Sequence, residues 1–297
     1  MIPFRRPMPE DRAQLFPLFL DTPYHGCEYS FTNIFLWGRQ QFAIVEGEIV
    51  LFSHWDGRSM YVYPGVNKLD AILPALRADS AERGIPMRLY GITAESKAEI
   101  ERLFPGEYGF AVNRDGGDYV YDIDRLAELK GKKLQQKRNH INRFLENCPD
   151  WQTRPIIAEN LEDCRALASS WYRLHEDEDT TLEKVAISRA FDNFNALGME
   201  GLALYAGGRM IAMTMGNRLR RDMFDVNFEK AYADIPGAYP MINREFARYL
   251  RNKYPELRFL NREEDMGLPG LRKSKLSYHP DEIVEKYRGF LQPEVRV

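Results

Sequence analysis

The sequence predicts an α+β protein made of two tandem domains with the same order of elements. The chain has 297 residues, more than one typical domain needs. Its composition, 44% hydrophobic and 29% charged, is that of a globular protein and excludes disordered and fibrous classes. Short apolar runs and helical patterns also recur twice in one order. We therefore expect one domain over residues 1–125 and a second over residues 126–297.

The first half shows a hairpin, a strand, a helix and a strand. Two short apolar runs flank a glycine within residues 42–52, and a third run covers residues 60–66. Asn67 and Asp70 then begin a helical pattern, and a further apolar run follows at residues 87–92. This is the unit that we expect to recur.

The second half repeats that order. Residues 202–215 form an apolar hairpin pattern about two glycines, and residues 223–229 form the next strand pattern. A helical face carrying Ile242, Phe246 and Leu250 follows, and residues 257–261 are apolar again. The corresponding glycines lie roughly 160 residues apart, which indicates a duplicated domain rather than a solenoid.

Additional elements precede the second hairpin. Residues 152–157 predict a strand, and a helix follows from Asn160. Thr180 and Glu183 have the spacing of a capping box, which predicts the start of another helix. The element order is strand, two helices, hairpin, strand, helix, strand and helix. This order resembles that of the GNAT superfamily of N-acyltransferases, so we expect two GNAT-like domains.

Charge and cysteine content restrict the compartment and the partners. The net charge of −3 gives no overall attraction to nucleic acid or anionic lipid. Three widely spaced cysteines, Cys27, Cys148 and Cys164, fit neither a disulfide framework nor a closed zinc site. Neither His140 nor His279 has a second ligand at metal-binding spacing, so we expect no metal. With no apolar leader and no membrane-length apolar run, the sequence predicts a cytoplasmic protein.

The second-half strand at residues 223–229 carries candidate chemistry. Asp225, Asn227 and Glu229 alternate with apolar residues, and a period of two places them on one face. If this strand and residues 257–261 form a parallel crossover, a ligand is expected at their carboxyl ends. Glu229 is then the candidate base. The alternation is equally typical of a half-solvated sheet face.

Residues 261–280 (NREEDMGLPGLRKSKLSYHP) predict a functional site. An acidic cluster is followed by a Gly/Pro turn, a basic amphipathic segment and a Tyr-His pair. A segment that served packing alone would have little use for opposite charges placed so close together. We expect its acidic residues to converge with Glu229.

Residues 129–145 form a basic segment with six Lys or Arg residues and no acid. Leu134, Ile141 and Leu145 give it an apolar stripe, which predicts a docked helix that displays Lys133, Lys137 and His140 together. Phosphate groups are the expected partner. An ordinary solvated helix face is the alternative.

With residues 132–144 (KKLQQKRNHINRF) and 261–280 in view, the chain resembles a bacterial family of two-GNAT-domain proteins of unassigned function. That family is similar to the C-terminal catalytic region of phosphatidylglycerol lysyltransferase and, more distantly, to Fem-type aminoacyltransferases. The resemblance covers nearly the whole chain. It implies transfer of an aminoacyl group from charged tRNA to an amine or a lipid hydroxyl, with the basic helix near RNA phosphates. The lysyltransferase has a large transmembrane region that this chain lacks, so a phospholipid acceptor would be reached by peripheral contact with the membrane surface.

Three hypotheses follow. The first is an aminoacyl-tRNA-dependent transferase without a tightly bound cofactor. Its expected catalytic residues are Glu229, Tyr278 and Asp265, its substrate-binding residues are Asp225, Asn227, Glu263, Glu264 and His279, and its donor-binding residues are Lys133, Lys137, Arg138, His140, Arg272, Lys273 and Lys275. The second is an acyl-CoA N-acyltransferase with pyrophosphate bound at the helix that begins near Pro240. The third is a non-catalytic RNA-binding or scaffold module.

Overall fold

The computed structural model describes residues 1–55, 57–175 and 180–292. Its strands are β1 (Gln40–Val45), β2 (Glu48–Trp55), β3 (Arg58–Val62), β4 (Arg88–Ile92), β5 (Tyr108–Val112), β6 (Tyr119–Asp122), β7 (Gln152–Pro155), β8 (Glu200–Ala206), β9 (Arg209–Arg220), β10 (Met223–Ala231), β11 (Phe259–Asn261), β12 (Glu282–Ile283) and β13 (Tyr287–Leu291). Its α-helices are α1 (Arg12–Leu20), α2 (Phe31–Trp37), α3 (Leu69–Arg83), α4 (Ala94–Leu103), α5 (Ile123–Glu128), α6 (Gln135–Asn147), α7 (Leu161–Arg173), α8 (Thr181–Asp192), α9 (Ala238–Lys253) and α10 (Pro269–Leu276). The predicted α+β class is confirmed.

The chain forms two compact units that differ from the expected division at residue 125. Unit 1 contains residues 1–118 and the segment from Val284 onward, and unit 2 contains residues 119–283. Strand β6 therefore belongs to unit 2, where it pairs with β11 and β12. Strand β13 returns to unit 1 and pairs with β4 and β5. These are long-range pairings, which local sequence patterns do not encode.

The sheet of unit 1 has the order β1-β2-β3-β4-β13-β5, with β3 and β4 parallel. The hairpin, strand, helix and strand predicted for the first half are all present. Helix α2 begins where the Ser30 hydroxyl accepts a hydrogen bond from the Asn33 amide at 3.2 Å, and it ends at Gly38 in the left-handed region. Helix α3 connects the two parallel strands and buries its apolar side in the core.

A buried ionic cluster ties the returning segment into unit 1. The fully buried Lys286 Nζ lies 2.6 Å from Glu28 Oε2 and 2.8 Å from Asp118 Oδ1. The Cys27 amide donates to the other Asp118 oxygen at 2.6 Å. Because removing one partner of a buried ion pair leaves an uncompensated charge, this cluster anchors the segment that leads into β13.

The sheet of unit 2 has the order β12-β6-β11-β10-β9-β8-β7, with β10 and β11 parallel. The predicted parallel crossover is thus confirmed, and α9 is its helix. On one sheet face, Lys230 contacts Trp171 of α7 and Glu183 of α8. Its neighbour Glu229 contacts Asn243 of α9. Since successive strand residues point to opposite faces, α7 and α8 cover one face and α9 covers the other.

A β-bulge in β10 changes which residues share a face. Asp225 pairs with Asn217 and Phe228 pairs with Met215, so β10 has one more residue than β9 between these pairs. Gly216 lies opposite the bulge, and a Cβ there would be 1.8 Å from the Asp225 carbonyl oxygen. A bulge shifts the alternation by one residue. The prediction that Asp225 and Glu229 share a face is therefore wrong, because they point to opposite faces.

The predicted capping box of α8 is also wrong, although the helix itself is present. Thr180 makes no side-chain capping hydrogen bond, and its buried hydroxyl has no hydrogen-bond partner among the described residues. The Glu183 carboxylate instead pairs with Lys230 Nζ at 2.9 Å. A tertiary ion pair has replaced the local contact.

The two units repeat the hairpin, strand, helix and parallel strand that the sequence predicts. In each sheet an antiparallel strand lies beyond the parallel pair, β13 in unit 1 and β6 in unit 2. None of the helices in the described residues has the length and hydropathy that a membrane crossing requires.

Candidate active site in the second unit

The site lies where β10 and β11 separate. The two strands are paired over Met223–Asp225 and Phe259–Asn261, after which β11 ends and β10 continues to Ala231. Glu229 therefore lies on β10 beyond the last pair with β11. Ligands of parallel α/β sheets bind at such carboxyl ends.

Glu229 is held by two side chains. Its Oε1 lies 3.0 Å from Arg262 Nη2, and its Oε2 accepts a hydrogen bond from Asn243 Nδ2 at 3.1 Å. The side chains of Glu229 and Arg262 are each 11% exposed. Arg262 Nη1 and Asn243 Oδ1 are buried and have no hydrogen-bond partner in the described part of the chain. Because buried polar groups are nearly always paired, these two atoms are candidates for contact with a polar ligand.

Tyr278 provides an aromatic surface beside this ion pair. Lys137 Nζ lies 3.9 Å from the centre of its ring, and Arg262 Cζ lies 4.9 Å from the same point. Burial raises the pKa of the Tyr278 hydroxyl, so it stays protonated and can donate a hydrogen bond. Burial also lowers the pKa of Lys137 to about 8, and the Arg262 charge adds to this effect, while Glu229 opposes it.

We call Glu229, Arg262, Asn243, Tyr278 and Lys137 the Glu229 cluster. The sequence predicted Glu229, Tyr278 and Lys137 as site residues, and the fold brings all three together from distant segments. It did not predict Arg262 or Asn243. Asn243 had a signal in the sequence, because this polar residue lies on the buried apolar face of α9.

A second polar group includes three of the expected substrate-binding residues. Asn227 Nδ2 donates to Asp225 Oδ2 and to Glu263 Oε1, both at 3.1 Å. Asp225 is fully buried and is aligned across the sheet with Asn217 and Asn261, which are also buried. The bulge places this row on the face opposite Glu229. These residues therefore lie together, but not in the Glu229 cluster.

Asp265 does not fit the catalytic role that the sequence predicted. The Tyr119 hydroxyl donates to it at 2.6 Å, the Gly267 amide donates at 2.9 Å, and Arg272 donates through two nitrogens at 2.8 Å. These donors hold the pKa of Asp265 well below its usual range. A carboxylate stabilised in this way is a poor proton acceptor. Arg272 likewise serves this ion pair rather than a donor phosphate.

Lys275 does not fit phosphate binding either. It is buried, and its Nζ donates to the carbonyls of Arg262 and Glu264, both at 2.5 Å. It therefore shapes the loop after β11, in which Glu263 has a left-handed φ of 56°. Strained backbone of this kind is concentrated at functional sites.

The other predicted residues of this segment lie at or near the surface. Lys273 is exposed, whereas Glu264 and His279 are half-buried. The His279 carbonyl accepts a hydrogen bond from Arg125 at 3.0 Å.

The basic helix α6 is docked as predicted but displays a different set of residues. Leu134 and Ile141 are buried, and Lys133 and His140 are exposed. The prediction that Lys137 is displayed with them is wrong, because its amine lies over Tyr278. Arg138 is not displayed either, because its guanidinium donates to the carbonyls of the loop that precedes the helix.

The first turn of α9 packs against α6. Gly237 precedes this helix with a φ of 87°, and a Cβ there would be 2.2 Å from the His140 carbonyl oxygen. The expected pyrophosphate position at this helix end is thus next to another helix.

Comparison with known proteins agrees with this description. The model of the family described as "Phosphatidylglycerol lysyltransferase, C-terminal" matches residues 21–290. A conserved protein of unknown function from Bacteroides thetaiotaomicron VPI-5482 has a crystal structure with a TM-score of 0.93 and 36% identity, covering 98% of this chain and 100% of that one. The C-terminal domain of a putative lysylphosphatidylglycerol synthetase from Agrobacterium fabrum has a TM-score of 0.68 and 13% identity over 96% of this chain and 92% of that one.

Two further proteins are similar to this chain. The crystal structure of FemX has a TM-score of 0.61 and 8% identity over 96% of each chain, which shows a shared fold. An uncharacterized protein from Mycoplasmoides gallisepticum (strain R(low / passage 15 / clone 2)) is 26% identical over 180 residues, which make up 59% of this chain. The match spans 56% of the length of that relative.

Proposed function

The chain belongs to the family of the phosphatidylglycerol lysyltransferase C-terminal region, and from this premise we propose that it transfers an aminoacyl group from aminoacyl-tRNA to a lipid hydroxyl or an amine. The observation that carries the proposal is the Glu229 cluster. In the described part of the chain, Arg262 Nη1 and Asn243 Oδ1 are buried beside the Glu229–Arg262 ion pair without a hydrogen-bond partner.

These two atoms complement an aminoacyl ester. Arg262 Nη1 can donate to a carbonyl oxygen, and Asn243 Oδ1 can accept from an ammonium group. When the ester is attacked, negative charge develops on its carbonyl oxygen. A guanidinium that is already in place stabilises that charge without reorganisation.

The surface of α6 supports tRNA as the donor. Besides Lys133 and His140, Lys130, Lys132 and Arg143 are exposed on or just before this helix. We call these five residues the basic strip. A cluster of basic side chains in a chain of net charge −3 gives local attraction to a phosphate backbone. Because Gly237 places α6 against the first turn of α9, CoA pyrophosphate is the less favoured donor group.

The direct test uses tRNAs charged with radiolabelled amino acids. The purified chain is mixed with them and with phosphatidylglycerol vesicles or a small primary amine, and label is counted in the lipid and amine products. We expect transfer by the wild-type chain and a loss of at least about 100-fold in Asn243→Leu, because an oriented polar contact contributes that much in a transition state. Asn252→Leu, the same substitution at an exposed position of α9, is the matched control.

Three outcomes would contradict the proposal. The first is the absence of both transfer and tRNA deacylation. The second is binding of tRNA without turnover, which would favour the RNA-binding module. The third is a rise in melting temperature with CoA at micromolar concentration, which would favour the acyl-CoA transferase.

A further inference from the structure

We propose that the amine of Lys137 is the proton acceptor of this site, and that Glu229 positions Arg262 rather than acting as the base. This proposal rests on the proposed function and names the residue that accepts the proton in the transfer reaction. The sequence indicated the reverse, with Glu229 as base and Lys137 on donor phosphate.

The contacts of Glu229 argue against its acting as the base. Both carboxylate oxygens already accept hydrogen bonds, one from Arg262 and one from Asn243. A proton placed on either oxygen would break a buried ion pair or displace the amide. The carboxylate is better suited to holding these two donors in position.

The surroundings of Lys137 favour its neutral form. Its Nζ lies over the Tyr278 ring at 3.9 Å, and the structure gives it no carboxylate within ion-pair distance in the described residues. The charged and titratable groups that face it are Tyr278 after α10, Arg262 after β11 and Glu229 on β10. Burial and the Arg262 charge outweigh the attraction of Glu229, so the pKa of Lys137 falls to about 8.

That pKa makes the amine available near neutral pH. With a pKa of about 8, a much larger fraction of the Lys137 amine is neutral at pH 7 than in an ordinary lysine near 10.4. A base of this strength accepts a proton and can return it within one turnover.

In the proposed reaction, Lys137 takes a proton from the acceptor and gives it to the leaving group. The acceptor hydroxyl or amine attacks the ester carbonyl, a new C–O or C–N bond forms, and its proton moves to Lys137 Nζ. The ester C–O bond then breaks, and the resulting ammonium returns the proton to the departing ribose oxygen. No oxidant or further reactant is needed.

The first measurement does not depend on activity. The whole chain is treated with trace acetic anhydride from pH 6 to pH 11, and labelling of Lys137 is quantified by mass spectrometry against the exposed Lys184 of α8. We expect a labelling midpoint near 8 for Lys137. The midpoint should fall further in Glu229→Gln and rise in Arg262→Gln, since these charges act in opposite senses. A midpoint near the ordinary 10.4 overturns the proposal.

The second measurement uses the transfer assay. We expect Lys137→Ala to lose at least about 100-fold in turnover and to regain part of it with added ethylamine, because general base catalysis contributes 10²–10⁴-fold. Lys137→Arg keeps the charge but should not recover turnover. Full activity of Lys137→Ala, or an unchanged acid limb in its pH profile, would overturn the assignment. If the wild-type chain transfers nothing, the proposed function fails, and the labelling midpoint still reports on Lys137.

Discussion

The close approach at Gly216 can be tested by adding one methyl group. In Gly216→Ala, the new Cβ would lie 1.8 Å from the Asp225 carbonyl oxygen, whereas real Cβ atoms essentially never come within 3.0 Å of such an atom. The backbones of β9 and β10 would have to separate by the difference, 1.2 Å. That movement breaks ladder hydrogen bonds beside the bulge.

We expect the free energy of unfolding to fall by about 3 kcal/mol, the upper end of the usual cost of overpacking, because backbone rather than a side chain must move. This is a large part of a typical total of about 5–15 kcal/mol. The assay is urea unfolding followed by circular dichroism. With a slope near 3 kcal/mol per molar, the midpoint should move by about 1 M.

Gly270→Ala is the matched control for this change. Gly270 lies in α10, is exposed, and no atom of the described residues lies within 4 Å of its added Cβ. Alanine there should stabilise the chain slightly, since glycine is unfavourable inside a helix. An unfolding midpoint for Gly216→Ala that equals the wild-type value would refute the argument from the bulge. Because the bulge sets the face of Glu229, the variant should also lose transfer activity.

The contacts of Thr180, Lys286 and Asp265 predict how three substitutions change stability. Thr180→Ala should change the free energy of unfolding by less than about 0.5 kcal/mol, because Thr180 makes no capping hydrogen bond. Ser30→Ala removes a capping hydrogen bond and should lower the free energy of unfolding by about 1 kcal/mol. Urea unfolding measures both changes. Lys286→Met should cost about 3–5 kcal/mol, because it leaves two buried carboxylates without their cation, and a wild-type melting temperature would contradict this. Asp265→Asn should be less stable than wild type at pH 7, and the difference in the free energy of unfolding should shrink as the pH falls below about 4. Folding lowers the pKa of Asp265, so its carboxylate stabilises the fold at pH values above the ordinary pKa of an aspartate. That stabilisation is lost as the carboxylate is protonated. Equal acid sensitivity of the two proteins in unfolding scans would contradict the role given to the Arg272 pair.

Much of the architecture could be predicted from local patterns. The hairpins, the strand at residues 223–229 and the crossover helix α9 were all indicated by apolar periodicity and glycine turns, and the structure contains each of them. Such signals are local because neighbouring residues of one strand or helix bury the same face. The position of the boundary between the two units could not be predicted from local patterns, because it depends on which strands β6 and β13 pair with.

The candidate site was predicted less completely. Glu229, Lys137 and Tyr278 have residue types and positions that suggest chemistry, and the fold brings them together. The basic residues Arg272, Lys275 and Arg138 were expected at phosphates, but each is used to hold nearby backbone or a buried carboxylate. The sequence does not show which group a Lys or Arg side chain will contact. Whether it binds a ligand or holds part of the fold is therefore visible only in the structure.

The order of the residues alone was sufficient for the α+β class, the repeated arrangement of elements and the family membership, because these depend on periodicity and on long motifs. The assembled fold was needed to show that one extra residue in β10 turns Glu229 away from Asp225 and towards Arg262 and Asn243. A bulge is specified by the pairing of two strands and by the space at Gly216, and neither is a property of a single segment. The same holds for Lys137, whose pKa depends on the burial and charges that three other segments of the chain supply.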